Sequence, residues 1–111
     1  MSSLAGHRAY PGGSVYCATK AAVTSFTRAL KQECVGTLIR VTDIVPGMVE
    51  TEFSAVRFKG DLDKAKQVYS NLVPLSAAEV ADAMMYVLSR PPHVNISEMV
   101  LVANAQNAQL V

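Results

Sequence analysis

Residues 38–45 set the tightest limit on what this chain can fold into. Val41, Ile44 and Val45 suit a strand buried in a sheet, and Pro46-Gly47 ends it. Only one other clear strand is offered, at 99–102, and parallel sheets seldom stand on two strands. The patterns around them run helix, strand, helix, helix, strand, which points to α/β architecture. The chain therefore reads as part of a larger fold.

The helices have local signals. Pro11-Gly12-Gly13 is a turn cluster, after which Ser14 is expected to cap a helix that Gly36 stops. Between them Val15, Ala18, Ala22, Phe26, Ala29 and Leu30 recur at steps of three and four. A stripe so rich in small side chains would let the helix lie close to a sheet or a second helix. Residues 48–60 read as irregular, and Asp61 as the cap of a short helix ending near residue 71. Ser76 and Glu79 form a capping box, with Leu75 and Val80 as its hydrophobic staple. The inward face of that last helix would be Val80, Ala81, Met84, Val87 and Leu88, and Pro91-Pro92 stops it. Residues 104–111 read as a weakly structured tail.

Composition narrows the class. Of 111 residues 50% are hydrophobic and 17% charged, which excludes a disordered polar chain. Ten Lys+Arg against nine Asp+Glu leave a net charge of +1, so no basic field exists to hold nucleic acid. No apolar run approaches the ~20 residues of a membrane span, and the first residues lack the look of a secretory signal. Cys17 and Cys34 are too few for a disulfide framework and have no metal-ligand spacing, so no metal site is expected. These features suit a soluble cytoplasmic protein. His7 reads as a surface histidine, His93 as part of a turn, and Met84 and Met85 as core or near-core fillers. Asn95-Ile96-Ser97 matches a glycosylation pattern by chance, and nothing marks Cys17 as a nucleophile.

Tyr16 and Lys20 share one helix face with about 6 Å of rise between them. A phenol ordinarily loses its proton near pH ~10. An ammonium beside it favours the phenolate and makes a tyrosine usable as an acid or base near neutrality. The pair alone is common by accident, a packed tyrosine beside a solvated lysine. Its surroundings add weight. The segments Ser2-Ser3-Leu4-Ala5-Gly6, Tyr16-Cys17-Ala18-Thr19-Lys20-Ala21-Ala22 and Pro46-Gly47-Met48-Val49-Glu50-Thr51 follow one another in order. Together they strongly resemble the carboxyl-terminal half of the short-chain dehydrogenase/reductase family. The residues from Pro46 to Phe58 and those from Ser89 to Asn95 resemble the branch with NADP-dependent 3-hydroxy acid dehydrogenases.

That resemblance implies half of a Rossmann-type doubly wound parallel sheet, with residues 1–111 as a partial domain. It would hold the active-site helix, the following strand, the substrate lid, and the last helix and strand. It also implies hydride transfer at a CH–OH group of a small hydroxy acid. Ser3 would donate a hydrogen bond to the substrate oxygen, and Tyr16 would pass a proton to or from that oxygen. Lys20 would support the tyrosine and hold the nicotinamide ribose. The turn at Pro46 and Gly47 leads into the cofactor loop, where the Val49 backbone would meet the carboxamide and the Thr51 hydroxyl would lend support. NADP is the implied cofactor, with NAD not excluded. Arg57, in the lid, would grip a substrate carboxylate as a bidentate pair, or else be a solvated arginine.

The family's amino-terminal nucleotide-binding half has no counterpart in this sequence, whose glycines nowhere make the dinucleotide fingerprint. The central strand is then expected to have an open edge, leaving these residues partly folded or associated and without turnover. A homo-oligomer, or association with a full-length relative, is implied. The alternative function is a non-catalytic fragment docking on such a relative through its active-site helix.

Overall fold

Strand β1 (Asp43–Pro46) lies at the centre of the computed structural model, which describes residues 1–67, 69, 70 and 72–106. Before it come α1 (Leu4–His7) and α2 (Ser14–Glu33). After it come β2 (Val49–Glu50), α3 (Phe53–Arg57), α4 (Leu62–Gln67), β3 (Leu75–Ser76), α5 (Ala77–Leu88) and β4 (Glu98–Leu101). β1 pairs parallel with β4, Ile44 opposite Met99, and β2 pairs parallel with β3. No helix among the described residues is long and apolar enough to cross a membrane.

Successive side chains on a strand point to opposite faces, and β1 uses both. Asp43 turns to α2, where the Thr24 hydroxyl donates to it at 3.1 Å. Ile44 turns to α5 and forms a buried cluster with Val80 and Val87, against which Val49, Ile96, Met99 and Leu101 pack. Helices therefore cover both faces of a parallel pair, the expected α/β layering. Burying each such Val or Ile contributes roughly 1.5–3 kcal/mol. The two edges of β1 are also distinct. Asp43 and Gly47 donate backbone N–H groups to the Ser97 and Leu101 carbonyls on the β4 side, at 3.1 and 2.7 Å. On the other edge the Ile44 carbonyl accepts from the Ser2 N–H at 3.0 Å. The chain just before Ser3 thus lies beside β1.

The strand begins later than residue 38. Leu38 and Ile39 are 88% and 64% exposed. Side chains take the place of the ladder before Asp43. Asn95 accepts from the Val41 N–H at 2.8 Å and donates to its carbonyl at 3.1 Å, and Thr42 donates to the Ile96 carbonyl at 2.6 Å. Asn95 is thus a structural side chain. Arg40 is drawn off to the end of α5, donating to the carbonyls of Val87, Leu88, Arg90 and Val94.

Helix α2 has the expected span but presents another face. Val15 and Phe26 are 76% and 65% exposed, and Ala18, Ala22 and Ala29 are exposed with them. The sheet side carries Cys17 and Thr24 instead. The small residue that permits close packing is Gly6 of α1, where a Cβ would stand 2.8 Å from the Lys20 carbonyl. Ser14 is the first helical residue, and Gly13 caps the helix without a side-chain bond. The Tyr10 ring occupies the space a Gly13 Cβ would need, which explains a glycine there. Gly36, at φ +83°, follows the Cys34 cap in the left-handed region that suits glycine.

The stretch 48–60, expected to be irregular, contains β2 and α3. The bridge to β3 orders its start, for Leu75 donates its N–H to the Met48 carbonyl at 2.9 Å. Asp61 does directly precede the short helix α4, while residues 71 and 107–111 lie outside the described residues. The capping box of α5 is present, with Ser76 accepting from the Glu79 N–H at 3.2 Å and Glu79 accepting from the Ser76 N–H at 2.6 Å. The Ser76 backbone N–H, and then its hydroxyl, hold the Glu79 carboxyl below its ordinary pKa. Only Val80 and Val87 of the expected inward face are buried. Ala81, Met85 and Leu88 are exposed and Met84 is 39% exposed, because the two valines, two turns apart, make the contact with Ile44. His7 is half-buried with its Nε2 3.7 Å from a Glu98 oxygen, so it is not a surface histidine. His93 lies in an exposed turn closed by Val94 N–H to the Pro91 carbonyl.

Candidate active site

At the carboxyl end of β1 the chain turns at Pro46-Gly47, and α1 begins beside it. Ser3 caps α1, its Oγ accepting from the Ala5 N–H at 3.2 Å. The same hydroxyl approaches the Pro46 carbonyl at 3.5 Å, the long limit for such a bond. Close packing of α1 on α2 at Gly6 brings the Tyr16–Lys20 turn to this end. The Lys20 ammonium stands 3.5 Å from the Met1 carbonyl and 5.7 Å from the centre of the Tyr16 ring. Ser3, Tyr16 and Lys20 thus converge at one end of the sheet, where open α/β sheets bind ligands.

Tyr16 opens onto a cleft of about 250 Å³ lined by Gly12, Gly13, Phe53, Val56 and Arg57. Its ring lies 5.5 Å from that of Phe53, centre to centre. Arg57 closes α3, and its guanidinium carbon is 5.4 Å from the Tyr10 ring centre and 5.6 Å from that of Phe58. Tyr16 and Arg57 therefore face one cavity, while Ser3 and Lys20 are tied to the neighbouring β1 end. A larger groove of about 390 Å³ lies over the α5 face, lined by Arg40, Thr42, Ile44, Met84, Val87 and Leu88. Arg40 there is committed to backbone carbonyls, so the smaller cleft, which brings Tyr16 and Arg57 together, is the better candidate.

The loop after β1 is held from several sides. The Gln106 amide covers Gly47 where a Cβ would stand and accepts from the Met48 N–H at 2.9 Å. The Val49 carbonyl accepts from the Tyr69 hydroxyl at 3.0 Å, and that hydroxyl also meets Ser54 at 2.6 Å. The Thr51 hydroxyl accepts from the Phe53 N–H at 3.2 Å and is exposed. Tyr10, Phe53, Tyr69 and Gln106 carry no local pattern that marks them, since only the folded chain brings them to the loop and cleft. Among the described residues, no three His, Cys, Asp or Glu gather as metal ligands.

The donors at this end are the Lys20 ammonium and the Tyr16 and Thr51 hydroxyls. That set suits the ribose hydroxyls and carboxamide of a nicotinamide nucleotide. The sequence holds no glycine fingerprint for a pyrophosphate, so the fit concerns the nicotinamide end of such a molecule.

Comparison with known proteins agrees with this geometry. The chain is 44% identical over 106 residues to an NADP-dependent 3-hydroxy acid dehydrogenase of Schizosaccharomyces pombe, covering 96% of this chain and 41% of that protein. It is 46% identical over 108 residues to an Escherichia coli K12 protein of the same description, covering 96% and 44%. The chain thus spans about two-fifths of the length of these relatives. Among solved structures, the closed form of a serine dehydrogenase complexed with NADP+ superposes with a TM-score of 0.91 at 47% identity, covering 95% of this chain and 43% of that one. A sequence profile of the short chain dehydrogenases matches residues 1–61, more than half of the chain. By that match over more than half of its length, the chain belongs to the short chain dehydrogenase family.

Proposed function

We propose that the protein is an NADP-dependent oxidoreductase acting on the CH–OH group of a small hydroxy acid, with Ser3, Tyr16 and Lys20 as its catalytic set. The observation that carries this reading is that Ser3 lies at the Pro46 carbonyl end of β1 while Lys20, one turn after Tyr16, reaches the Met1 carbonyl two residues before Ser3. NADP, when bound, supplies the hydride acceptor in oxidation and the hydride donor in reduction. In the oxidative direction the Tyr16 oxygen takes the proton of the substrate hydroxyl, and in reduction it returns a proton to the carbonyl oxygen. The Ser3 oxygen accepts from the Ala5 N–H, while its own proton meets the Pro46 carbonyl at a long 3.5 Å, so that proton can turn to the substrate oxygen and stabilise charge there. Lys20 places a positive charge beside Tyr16 and would donate to the ribose hydroxyls of the bound nucleotide. Pro46 and Gly47 set the loop on which the Val49 backbone would hold the carboxamide and Thr51 would lend its hydroxyl.

Arg57 gives the substrate class. It lines the cleft with Tyr16 and rests beside the Tyr10 and Phe58 rings, where a guanidinium can accept a carboxylate in two parallel bonds. The names of the relatives, 3-hydroxy acid and serine dehydrogenases, support a hydroxy acid. The full-length protein should form NADPH from NADP+ with serine or another 3-hydroxy acid. No turnover with any hydroxy acid, or full activity in Tyr16→Phe, would overturn the reading.

The outer face of α2 supports a partner. Val15 and Phe26 stand exposed beside Ala18, Ala22 and Ala29, a small-residue surface on which a second copy of the same helix can pack closely. Sedimentation should show an oligomer that Phe26→Glu weakens. A monomer at all concentrations, or assembly only with a longer relative, would count against a second copy.

A further inference from the structure

Asp43 is 2% exposed. Burying a carboxylate is unfavourable unless its oxygens are bonded, and here each has its own donor. Oδ1 accepts from the Ser2 N–H at 2.9 Å, and Oδ2 from the Thr24 hydroxyl at 3.1 Å. Ser2 and Thr24 are themselves 2% and 5% exposed. The carboxylate therefore joins three segments: the chain entering Ser3, strand β1, and helix α2. Ser2 adjoins Ser3, and Thr24 lies one turn beyond Lys20. Packing alone would be met by an apolar side chain, as Ile44 shows on the opposite face. The two donors use separate oxygens, an arrangement that a carboxylate matches with two acceptor atoms and a side-chain amide with one.

We infer that Asp43 is a positioning residue, which fixes Ser3 relative to the Tyr16–Lys20 turn by holding the Ser2 backbone and the Thr24 side chain together. It is buried and does not line the cleft that holds Tyr16 and Arg57, so it would act through its neighbours. The inference rests on the dehydrogenase reading for the roles of Ser3, Tyr16 and Lys20. Misplacing a reacting group by about 1 Å can lower a rate on the order of a hundredfold, so a link of this kind controls kcat while leaving cofactor affinity alone.

The test uses the full-length protein and three variants, Asp43→Ala, Asp43→Asn and Thr24→Val. Thr24→Val keeps the shape of the side chain and decides the matter if Asp43→Ala fails to fold. The first readout is amide hydrogen exchange without cofactor. Residues 2–7 should exchange faster in Thr24→Val and Asp43→Ala, with α5 unchanged. The second is steady-state kinetics, where kcat per folded molecule should fall about ten- to a hundredfold at an unaltered KM for NADP+. Asp43→Asn, which keeps one acceptor, should recover part of both. Unchanged exchange at residues 2–7, or an unchanged kcat in Thr24→Val, would overturn the inference. Faster exchange in α5, with kcat and KM failing together, would mark a merely structural role and overturn it too. No turnover by the unsubstituted protein would overturn the dehydrogenase reading and this inference with it.

Discussion

Asp43 and Ile44 are neighbours on one strand, yet the two sides of β1 they serve are built differently. Toward α2 directional bonds stand beside apolar packing: Asp43 bonds to Thr24 and Ser2, while Val45, two residues on and so on the same face, is fully buried, and Cys17 is buried on the sheet side of α2. Toward α5 the contacts are apolar, Ile44 with Val80 and Val87 and a ring of partly buried neighbours. Hydrogen bonds have a preferred direction, whereas hydrophobic contact is non-directional and scales with area. The polar bonds on the α2 side are thus suited to setting geometry, and the apolar packing, which makes up the whole of the α5 cluster, to holding the fold. The difference teaches that residues one position apart can be asked for different properties, and substitutions can pull those properties apart.

The largest separation should come from Tyr16→Phe. Removing the phenol oxygen takes away the proposed proton carrier, so kcat in the full-length protein should fall by about 10²–10⁴-fold. The ring still packs beside Phe53, so the melting temperature should barely move. A large drop in stability would show that this side also carries the fold.

Ile44→Ala is the mirror experiment. Emptying the middle of the apolar cluster should destabilise by about 2–5 kcal/mol, read by urea denaturation of the full-length protein. The kcat of the folded fraction should stay within a factor of a few. If catalysis per folded molecule fell as steeply as in Tyr16→Phe, the division between the faces would fail.

Arg57→Ala sharpens the polar side. Loss of a charge-assisted pair, about 1.5–3 kcal/mol, should raise KM for a hydroxy acid by roughly ten- to a hundredfold with KM for NADP+ unchanged. An unaltered KM for the hydroxy acid would make Arg57 a solvated arginine whose exposed position on α3 has no part in binding.

The sequence revealed these regions unevenly, and the reason is range. The α5 start was legible because Ser76 and Glu79 speak to each other within one turn. Tyr16 and Lys20 were legible for the same reason, and the span of α2 was marked by the turn before it. Which face of α2 meets the sheet was not, because the alanine stripe is periodic whether it faces inward or outward. Contacts far apart in sequence decide that, Thr24 with Asp43 and Gly6 with Lys20. The start of β1 is not legible because Asn95 replaces the ladder at Val41, and a side chain imitating a strand leaves no local trace. Tyr10 and Phe53 likewise gain their meaning only where loops converge on Tyr16.

The smallest expected effect lies at the start of α5, and it tests whether the apolar side depends on charge at all. Removing the Ser76 cap with Ser76→Ala should cost about 1 kcal/mol, without any change in kcat. The Glu79 carboxyl is held below its ordinary pKa, first by the Ser76 backbone N–H and then by the Ser76 hydroxyl. A lowered pKa in the folded state means the stabilisation is complete above the unfolded value, near ~4.3. It is lost as pH falls through the lower folded value, where the carboxyl takes up its proton. Glu79→Gln keeps an acceptor for Ser76 but has no charge to titrate. The parent should therefore melt slightly higher than Glu79→Gln at neutral pH, and the gap should close as pH drops below the usual carboxylate range. The carboxylate is solvent-exposed, so the gap should be small, and salt should shrink it by screening its attraction to the helix amino terminus. A gap independent of pH would mean the capping box works through its hydrogen-bond geometry alone, leaving the α5 side of β1 without any electrostatic support.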